Sequence, residues 1–418
     1  MLFVSSGASA AYRLIHSHSL GTNPTPPKVP GMYATLANPE RQAPPDAQAL
    51  AWLSDLMQQS VSLQASDVHL EPTADSLRVR IRRDGHLHEI PSPLFPLREQ
   101  IISRLKVQAR LDIAEKRLPQ DGRIQLTVDD RSVDIRVSSM PTLHGEKIVL
   151  RLLSGQHQPV HLEALGLEDD DAQRLREAIH RPHGLVLITG PTGSGKTTTL
   201  YSCLQHLNTP SVNIATVEDP TEIALPGANQ VNVNERIGLS FDVALRALLR
   251  QDPDILMVGE IRDHATADMA IKASQTGHLV LSTLHTNDAP STLTRLQHMG
   301  IAGFHLASSV LLVCAQRLLR RLCVHCKRPD PLRQGFVPVG CDQCLQGYRG
   351  RLAIHQVIPI SASLQSLILE KASASALALQ AAQDGVRSLR EAGVRRVIAG
   401  ETSWDEVLAA THDQTDAG

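Results

Sequence analysis

The stretch Gly190-Pro191-Thr192-Gly193-Ser194-Gly195-Lys196-Thr197-Thr198 directly follows the apolar run from Gly184 to Thr189. It matches the pattern G-x-x-x-x-G-K-[ST], in which a strand leads through a loop into a helix. Glycines in such a loop allow positive φ, so successive backbone N–H groups can point toward a bound polyphosphate. A helix is expected from Thr197 to about Leu207, with its positive end at the loop. The stretch therefore predicts a nucleotide-binding phosphate loop.

Each position of this loop has a predicted role with ATP and Mg²⁺ as ligands. Lys196 is expected to reach the β- and γ-phosphates, and Thr197 to offer its hydroxyl to Mg²⁺. The other loop residues are expected to surround the phosphates: Gly190, Pro191, Thr192, Gly193, Ser194, Gly195 and Thr198. The alternative is a glycine-rich turn with a chance lysine, but the strand before it and the helix after it favour nucleotide binding.

Composition limits the function classes. A chain of 418 residues is too long for one core, which indicates two or three domains. The net charge of -2 and the aromatic content of 3% disfavour a nucleic-acid translocase. No run approaches the roughly 20 apolar residues of a membrane span, and no basic segment precedes the apolar N-terminus as in a secretory signal. A cytoplasmic protein is expected.

The first part of the chain divides into a tail and a small domain. Residues 1–46 are rich in proline and polar residues, which predicts a disordered tail or linker. Residues 47–153 are predicted to form an α+β domain, because helical spacing alternates with strand-like alternation. The expected helices are Ala47–Val61 and Leu94–Leu111, and the expected strands are Leu77–Arg82, Ile124–Val128 and Val133–Val137.

The second part predicts an α/β domain over residues 164–418, joined by a linker at 154–163. Near-continuous apolar strands separated by helical segments are typical of a parallel sheet with both faces covered. The phosphate loop then lies at the carboxyl edge of the sheet, where ligands bind in such folds. The expected strands are Leu185–Thr189, Asn213–Val217, Ile255–Val258 and Leu279–Ser282.

Acidic residues follow two of these strands. Glu218 and Asp219 end the second strand and are candidates for holding Mg²⁺ or its waters. The third strand ends at Gly259, where an ordinary phosphate-loop ATPase has a metal-supporting acid, and Glu260 follows as the candidate for polarising the attacking water. The alternatives are a helix N-terminal acid at Glu260 and a simple turn before Pro220.

Two histidines flank the fourth strand. His278 precedes this strand and is predicted to contribute to the nucleotide site, and His285 follows its end. A neutral donor at a strand end can contact the γ-phosphate and respond to its loss. A structural role is the alternative for each histidine.

Four ordered motifs resemble those of the type II secretion and type IV pilus assembly ATPases. Their Walker A, Asp box, Walker B and His box correspond to Gly190–Thr199, Thr216–Pro220, Arg250–Asp263 and Thr276–Asn287. That family also has glycine at the position of Gly259. The resemblance covers the chain from Ser66 onward but not the further N-terminal domain that members usually carry, since only residues 1–46 precede Ala47.

The resemblance implies a RecA-like core and a homo-hexameric motor. Such a motor hydrolyses ATP and turns a platform protein in the inner membrane, so that pilin-like subunits join a pilus or secretion pseudopilus. The enzyme would be cytoplasmic and peripheral to that membrane through its partners. Ala65–Pro72 and Glu115–Arg123 are similar to the family's N-terminal domain, which packs against the neighbouring core and lends it arginines: Arg117, Arg123, Arg136 and Arg151. A solvated strand face is the alternative for strand arginines such as Arg123 and Arg136. A nucleotide-binding scaffold without turnover is the alternative, which intact Lys196, Thr197 and Glu260 disfavour.

Two C-x-x-C pairs predict a metal site. Cys323 and Cys326 are separated by residues 327–340 from Cys341 and Cys344, a spacing typical of a four-thiolate Zn²⁺ knuckle, here at 323–350. Two surface redox pairs are the alternative in a reducing compartment. The family resemblance links such a knuckle to assembly rather than retraction. The remaining cysteines, Cys203 and Cys314, are predicted on apolar helix faces in the core.

Overall fold

The computed structural model describes residues 44–93, 95–128, 131–154 and 160–411. The predicted tail lies outside these residues except for 44–46, and so do residues 155–159 of the predicted linker. Among the described residues, no helix combines the length and the apolar composition that a membrane span requires.

The N-terminal domain is an antiparallel sheet with two helices against it. Its strand order is β3-β2-β1-β6-β5-β4. The sheet and the helices share one apolar core, in which Leu56, Val79 and Ile101 are almost fully buried. The elements are α1 (Pro45–Ser62), β1 (Asp67–Pro72), β2 (Leu77–Arg83), β3 (His86–Ile90), α2 (Arg98–Gln108), β4 (Gln120–Val128), β5 (Arg131–Thr142) and β6 (Gly145–Ser154).

Helix α2 is shorter than the sequence predicts. The chain over Phe95–Leu97 forms a 3₁₀ turn, and the α-helix begins only at Arg98. Pro96 disfavours the α-helical conformation at the preceding Phe95, which favours this late start. At the other end, Arg110 has a φ of 57°, which is incompatible with continuing the helix.

The core domain is built on a mixed sheet with the order β15-β12-β7-β11-β10-β8-β9. Neighbouring strands pair in parallel except β15, which is antiparallel to β12. The elements are α3 (Asp169–Ile179), β7 (Gly184–Thr189), α4 (Lys196–Leu207), β8 (Ile214–Glu218), β9 (Asn229–Asn232), α5 (Phe241–Leu248), β10 (Ile255–Val258), α6 (His264–Gln275), β11 (Leu279–Leu284), α7 (Ala289–His298), α8 (Gly303–Ser309), β12 (Val310–Leu322), β13 (Arg328–Pro329), β14 (Phe336–Val337), β15 (Tyr348–Pro359), α9 (Ala362–Leu369), α10 (Ala374–Gln383), α11 (Leu389–Ile398) and α12 (Trp404–Ala410).

Both faces of this sheet are covered, as the apolar strands predict. Along β7, Leu185 and Leu187 face one hydrophobic cluster, whereas Val186 and Ile188 face the other. Helices α5 to α12 supply residues to the first cluster, and α3 and α4 to the second. Because alternate residues of a strand point to opposite faces, a strand covered on both sides must be apolar throughout.

Both remaining cysteines are buried, but only Cys203 lies on a helix. The prediction that Cys314 lies on a helix is wrong, because this residue is in the middle of β12. Strand β12 is apolar on both faces, and periodicity alone does not separate such a strand from a buried helix.

The two domains meet beside the carboxyl edge of the core sheet. The turn between β2 and β3 reaches the core, where Asp84 accepts a hydrogen bond from the Gly350 N–H at 3.0 Å. The carboxylate of Asp84 also lies 3.9 Å from the Arg351 guanidinium. An open cleft of about 1910 Å³ separates the domains next to this contact.

Candidate active site

The loop between β7 and α4 has the conformation that phosphate binding requires. Gly190, Gly193 and Gly195 have φ values of 150°, 80° and 89°, a region that favours glycine. A Cβ at Gly190 would lie 2.5 Å from the Gln316 carbonyl oxygen, and one at Gly195 would lie 2.8 Å from the Gln316 amide nitrogen. Strand β12 thus packs directly beneath the loop, and a side chain at either glycine would separate them.

Lys196 lies at the first position of α4 and folds back over the loop. Its ammonium donates to the carbonyl oxygens of Gly190 at 2.8 Å and Pro191 at 3.1 Å. Burial lowers the pKa of Lys196 to about 8, while the charge of Glu260 raises it and that of Arg317 lowers it further. The ammonium is therefore held at the loop by neutral carbonyls, which a bound phosphate can replace.

Glu218 ends β8 beneath the phosphate-loop helix and is buried. A Cβ at Gly259, on the neighbouring strand end, would lie 3.3 Å from the Val217 carbonyl oxygen and 3.7 Å from the Glu218 Cγ. The Glu218 side chain thus occupies space beside the position where an ordinary phosphate-loop ATPase has an acid. Glycine at position 259 therefore leaves room for the Glu218 carboxylate on the neighbouring strand.

Glu260 follows β10 and lies between a histidine and an arginine. The Nε2 of His285 is 3.4 Å from one carboxylate oxygen, and Arg262 forms a close ion pair with the other. The same guanidinium lies 3.6 Å from Asp219. The structure therefore brings three predicted site residues together around one arginine, which the sequence analysis did not select.

Arg262 is the main residue that the sequence analysis missed. It lies two residues after Glu260. A cation so close to an acidic residue at a strand end is the sequence feature that could have indicated it. The core thus has an arginine of its own beside the Glu260 carboxylate. Arg317 also lines the cleft, where its buried guanidinium donates to backbone carbonyls of Gln316 and Ala410.

Three of the four predicted arginines of the N-terminal domain line the cleft opposite the phosphate loop. They are Arg123, Arg136 and Arg151. Burial lowers the pKa of Arg136, and the charges of Glu222 and Asp219 in the core act in the opposite direction. The buried Nε of Arg136 has no hydrogen-bond partner within the described part of the chain.

Two of the four predicted arginines form ion pairs within the N-terminal domain. Arg151 pairs with Asp67 at 3.0 Å, because β6 and β1 are adjacent in the sheet. Arg117 pairs with Glu115 at 2.7 Å, and its side chain is 87% exposed. Arg117 does not line the cleft of its own chain.

His278 lies far from the other predicted nucleotide contacts in this chain. It precedes β11, and its carbonyl accepts the N–H of Gly184 at the start of β7. The phosphate loop follows the opposite, carboxyl end of β7. The His278 ring instead contacts the Ala273 carbonyl and the Thr276 hydroxyl at the end of α6.

The four predicted metal ligands converge. The sulfur atoms of Cys323, Cys326, Cys341 and Cys344 all lie within 4.8 Å of one another. The N–H of Gly340 donates to Cys326 Sγ, and that of Cys341 donates to Cys344 Sγ, both at 3.3 Å. Gly340 and Gly347 have φ values of 111° and 85°, a region that favours glycine, so both turns depend on the absence of a side chain. Four close sulfurs with such donors fit a tetrahedral Zn²⁺ site.

Comparison with known proteins matches residues 44–409 to the family described as Type II/IV secretion system protein. The chain belongs to this family of secretion ATPases. It is 48% identical over 388 residues to the type IV pilus assembly ATPase PilB of Acinetobacter baylyi. That match covers 88% of this chain and 67% of the relative. It is 50% identical over 368 residues to the type II secretion system protein HxcR of Pseudomonas aeruginosa, which covers 88% and 78%.

Solved structures of secretion ATPases share the fold. The crystal structure of the pilus retraction motor PilT with bound ADP has a TM-score of 0.60 and 26% identity, covering 87% of this chain and 97% of that chain. The ATPase DotB of Legionella pneumophila has a TM-score of 0.68 at 20% identity, covering 90% and 97%. The predicted fold class is thus confirmed: an α+β N-terminal domain precedes a RecA-like core that carries the cysteine knuckle.

Nucleotide affinity should depend on the charge of Lys196. Phosphate binding favours the ammonium and raises its pKa above the free value of about 8. Affinity for a non-hydrolysable ATP analogue should therefore be nearly constant below pH 7, fall about twofold by pH 8 and decrease up to about tenfold per pH unit above that. Fluorescence titration measures this. Lys196→Arg, which stays charged, should bind without that decrease, and constant affinity of the unmodified chain to pH 9.5 would contradict the role of Lys196.

Proposed function

We propose that this chain is a Mg²⁺-dependent, ATP-hydrolysing motor that drives assembly of a type IV pilus or a type II secretion pseudopilus. The observation that carries the proposal is the single cleft that places Lys196, Glu260 and the arginines of β4, β5 and β6 around one phosphate loop. The similarity to PilB and to HxcR supports the assembly function.

The residues around the cleft support separate roles in hydrolysis. Lys196 binds the β- and γ-phosphates, and Glu260, oriented by His285 and Arg262, accepts the proton of the attacking water. Thr197 with Glu218 or Asp219 would hold Mg²⁺, which neutralises phosphate charge when bound. The Arg262 guanidinium lies between the carboxylates of Glu260 and Asp219 and offsets their negative charge beside the phosphate site.

Lys196→Ala and Glu260→Gln should separate binding from turnover. The alanine variant loses the ammonium and should bind the ATP analogue at least about tenfold more weakly. The glutamine variant keeps the shape of the side chain but accepts no proton, so it should bind ATP normally and lose turnover by about 10² or more. Equilibrium binding and phosphate release measure the two effects. Equal loss of binding in both variants would show that Glu260 is structural, and full turnover in Glu260→Gln would reject its proposed role.

The proposal extends to a homo-hexamer in which the N-terminal domain completes a neighbour's site. An arginine supplied across an interface contributes about 10³ to 10⁵ in rate to the best-studied phosphoryl-transfer enzymes. The buried Nε of Arg136 has no hydrogen-bond partner among the described residues, so its donor capacity is unused there. The Arg117 side chain is highly exposed, which suits a contact outside its own chain. Arg123 and Arg151 are the other candidates. Hydrolysis would then move the N-terminal domain against the adjacent core.

Mixed rings test this arrangement. Glu260→Gln subunits combined with Arg136→Ala subunits should regain activity, because some interfaces join an intact arginine to an intact carboxylate. Arg78→Ala, at an exposed pair on the same sheet, is the control and should be active alone. ATPase assays with labelled subunits measure activity and exchange together. Mixtures that exchange subunits but stay as inactive as their parents would exclude Arg136 from a role across the interface.

The cysteine knuckle is proposed to hold one structural Zn²⁺ per chain. All four positions of the ion would be filled by protein sulfur, which suits a stabilising role rather than a catalytic one. Metal analysis should find one zinc per chain, absent in Cys341→Ser and retained in the control Cys203→Ala. Chelation should lower the melting temperature. A metal-free protein with four freely reactive thiols would contradict this proposal.

The proposed partner is a platform protein of the inner membrane, at which the cytoplasmic hexamer would act peripherally. The cysteine knuckle and the similarity to the assembly ATPase PilB favour fibre assembly over retraction. Co-purification of the chain with its platform protein tests this part directly.

A further inference from the structure

We propose that Tyr201 is a positioning residue for ATP hydrolysis, which fixes the carboxylate of Glu218 relative to the phosphate-loop helix. This inference rests on the proposed function, since it assigns the way in which Glu218 contributes to the site. Tyr201 is completely buried in the first part of α4, and its hydroxyl donates to a Glu218 oxygen at 2.7 Å.

The geometry of α4 relates Tyr201 to the phosphate site. Tyr201 lies four residues after Thr197, and residues at this spacing share one face of a helix. Tyr201 therefore ties Glu218 to the same helical face that presents the Thr197 hydroxyl, one turn away. A hydrogen bond from this rigid, buried ring sets the distance between the end of β8 and the start of α4.

Two further side chains complete the fixation of Glu218. Thr216 donates to the second carboxylate oxygen at 2.7 Å, and the Gln230 amide reaches the same oxygen at 3.3 Å. Gln230 also donates to the Tyr201 oxygen at 2.9 Å and to the Ile223 carbonyl at 3.0 Å. We call Tyr201, Thr216, Glu218 and Gln230 the carboxylate clamp.

The carboxylate clamp consists of neutral donors around a buried acid. Among the ion pairs of the described residues, none involves Glu218, and its oxygens accept hydrogen bonds from neutral side chains. A buried carboxylate with bonds to both oxygens is not free to rotate toward a new ligand. Glu218 would therefore act on Mg²⁺ by its charge rather than as a freely rotating ligand, from a position that Tyr201 holds constant.

The carboxylate clamp also reaches the surface of the cleft. The Gln230 side-chain oxygen accepts the N–H of Leu225 at 2.7 Å, and the Gln230 amide holds Ile223. These residues belong to the segment after β8 that includes Asp219 and Glu222, the acidic groups opposite Arg136. One network thus connects the phosphate-loop helix to the wall that faces the N-terminal domain.

The test compares Tyr201→Phe with Tyr348→Phe. Both tyrosines are buried, and each variant loses one hydroxyl, that of Tyr348 being bonded to Ser403 at 2.7 Å. Tyr201→Phe should lower kcat about tenfold with KM for ATP within about twofold, while Tyr348→Phe stays within about twofold in both constants. Tyr201→Phe should also need several-fold more Mg²⁺ for half-maximal binding of the ATP analogue, a measurement that is independent of turnover.

A double-mutant cycle shows whether Tyr201 acts through Glu218. Tyr201→Phe combined with Glu218→Gln should be no slower than Glu218→Gln alone, because the hydroxyl then has no carboxylate to hold. Losses that multiply, or a Tyr201→Phe variant as active as Tyr348→Phe, would overturn the positioning role. Full activity of Glu218→Gln would instead contradict the proposed function of Glu218 itself. Melting temperatures of all four variants identify any loss of folding.

Discussion

Parallel pairing of β7, β8, β10 and β11 is the constraint on which the site depends. In a parallel sheet all carboxyl ends meet at one edge, so the residues after these strands become neighbours whatever their separation in the sequence. The phosphate loop, Glu218, Glu260 and His285 are brought together in this way. The apolar covering buries both faces of these strands, and the chemistry of the edge depends on which residues follow each strand end.

The electrostatics of the cleft follow from crowding charged groups at this edge. Lys196 is held by carbonyls, Glu218 by neutral donors, and Glu260 by Arg262 and His285. Because each of the three charged groups has a different kind of partner, a bound polyphosphate would change their interactions to different extents. Arginines of the N-terminal sheet face this edge across the cleft. A movement of the N-terminal domain would therefore change the electrostatic potential at the site.

Residues whose chemistry depends on local spacing could be predicted from the sequence, and residues that act through distant contacts could not. The phosphate loop and the cysteine pairs each have a spacing that reflects their ligand, and both form the expected geometry. The bond of Tyr201 to Glu218 and the pair of Arg151 with Asp67 join separate elements, so no local pattern indicates them. The sequence places His278 next to β11, but it lies at the amino end of that strand, whereas the phosphate loop lies at the carboxyl edge of the sheet.

The most direct test of the central claim is a structure of the assembled protein with Mg²⁺ and a non-hydrolysable ATP analogue. The measured quantity is the distance from the γ-phosphate oxygens to the nearest guanidinium of an N-terminal domain. The account predicts a hydrogen bond, at about 3 Å, from Arg117, Arg123, Arg136 or Arg151 of the neighbouring chain. A γ-phosphate that contacts core residues alone, with every one of these arginines beyond reach, would contradict it.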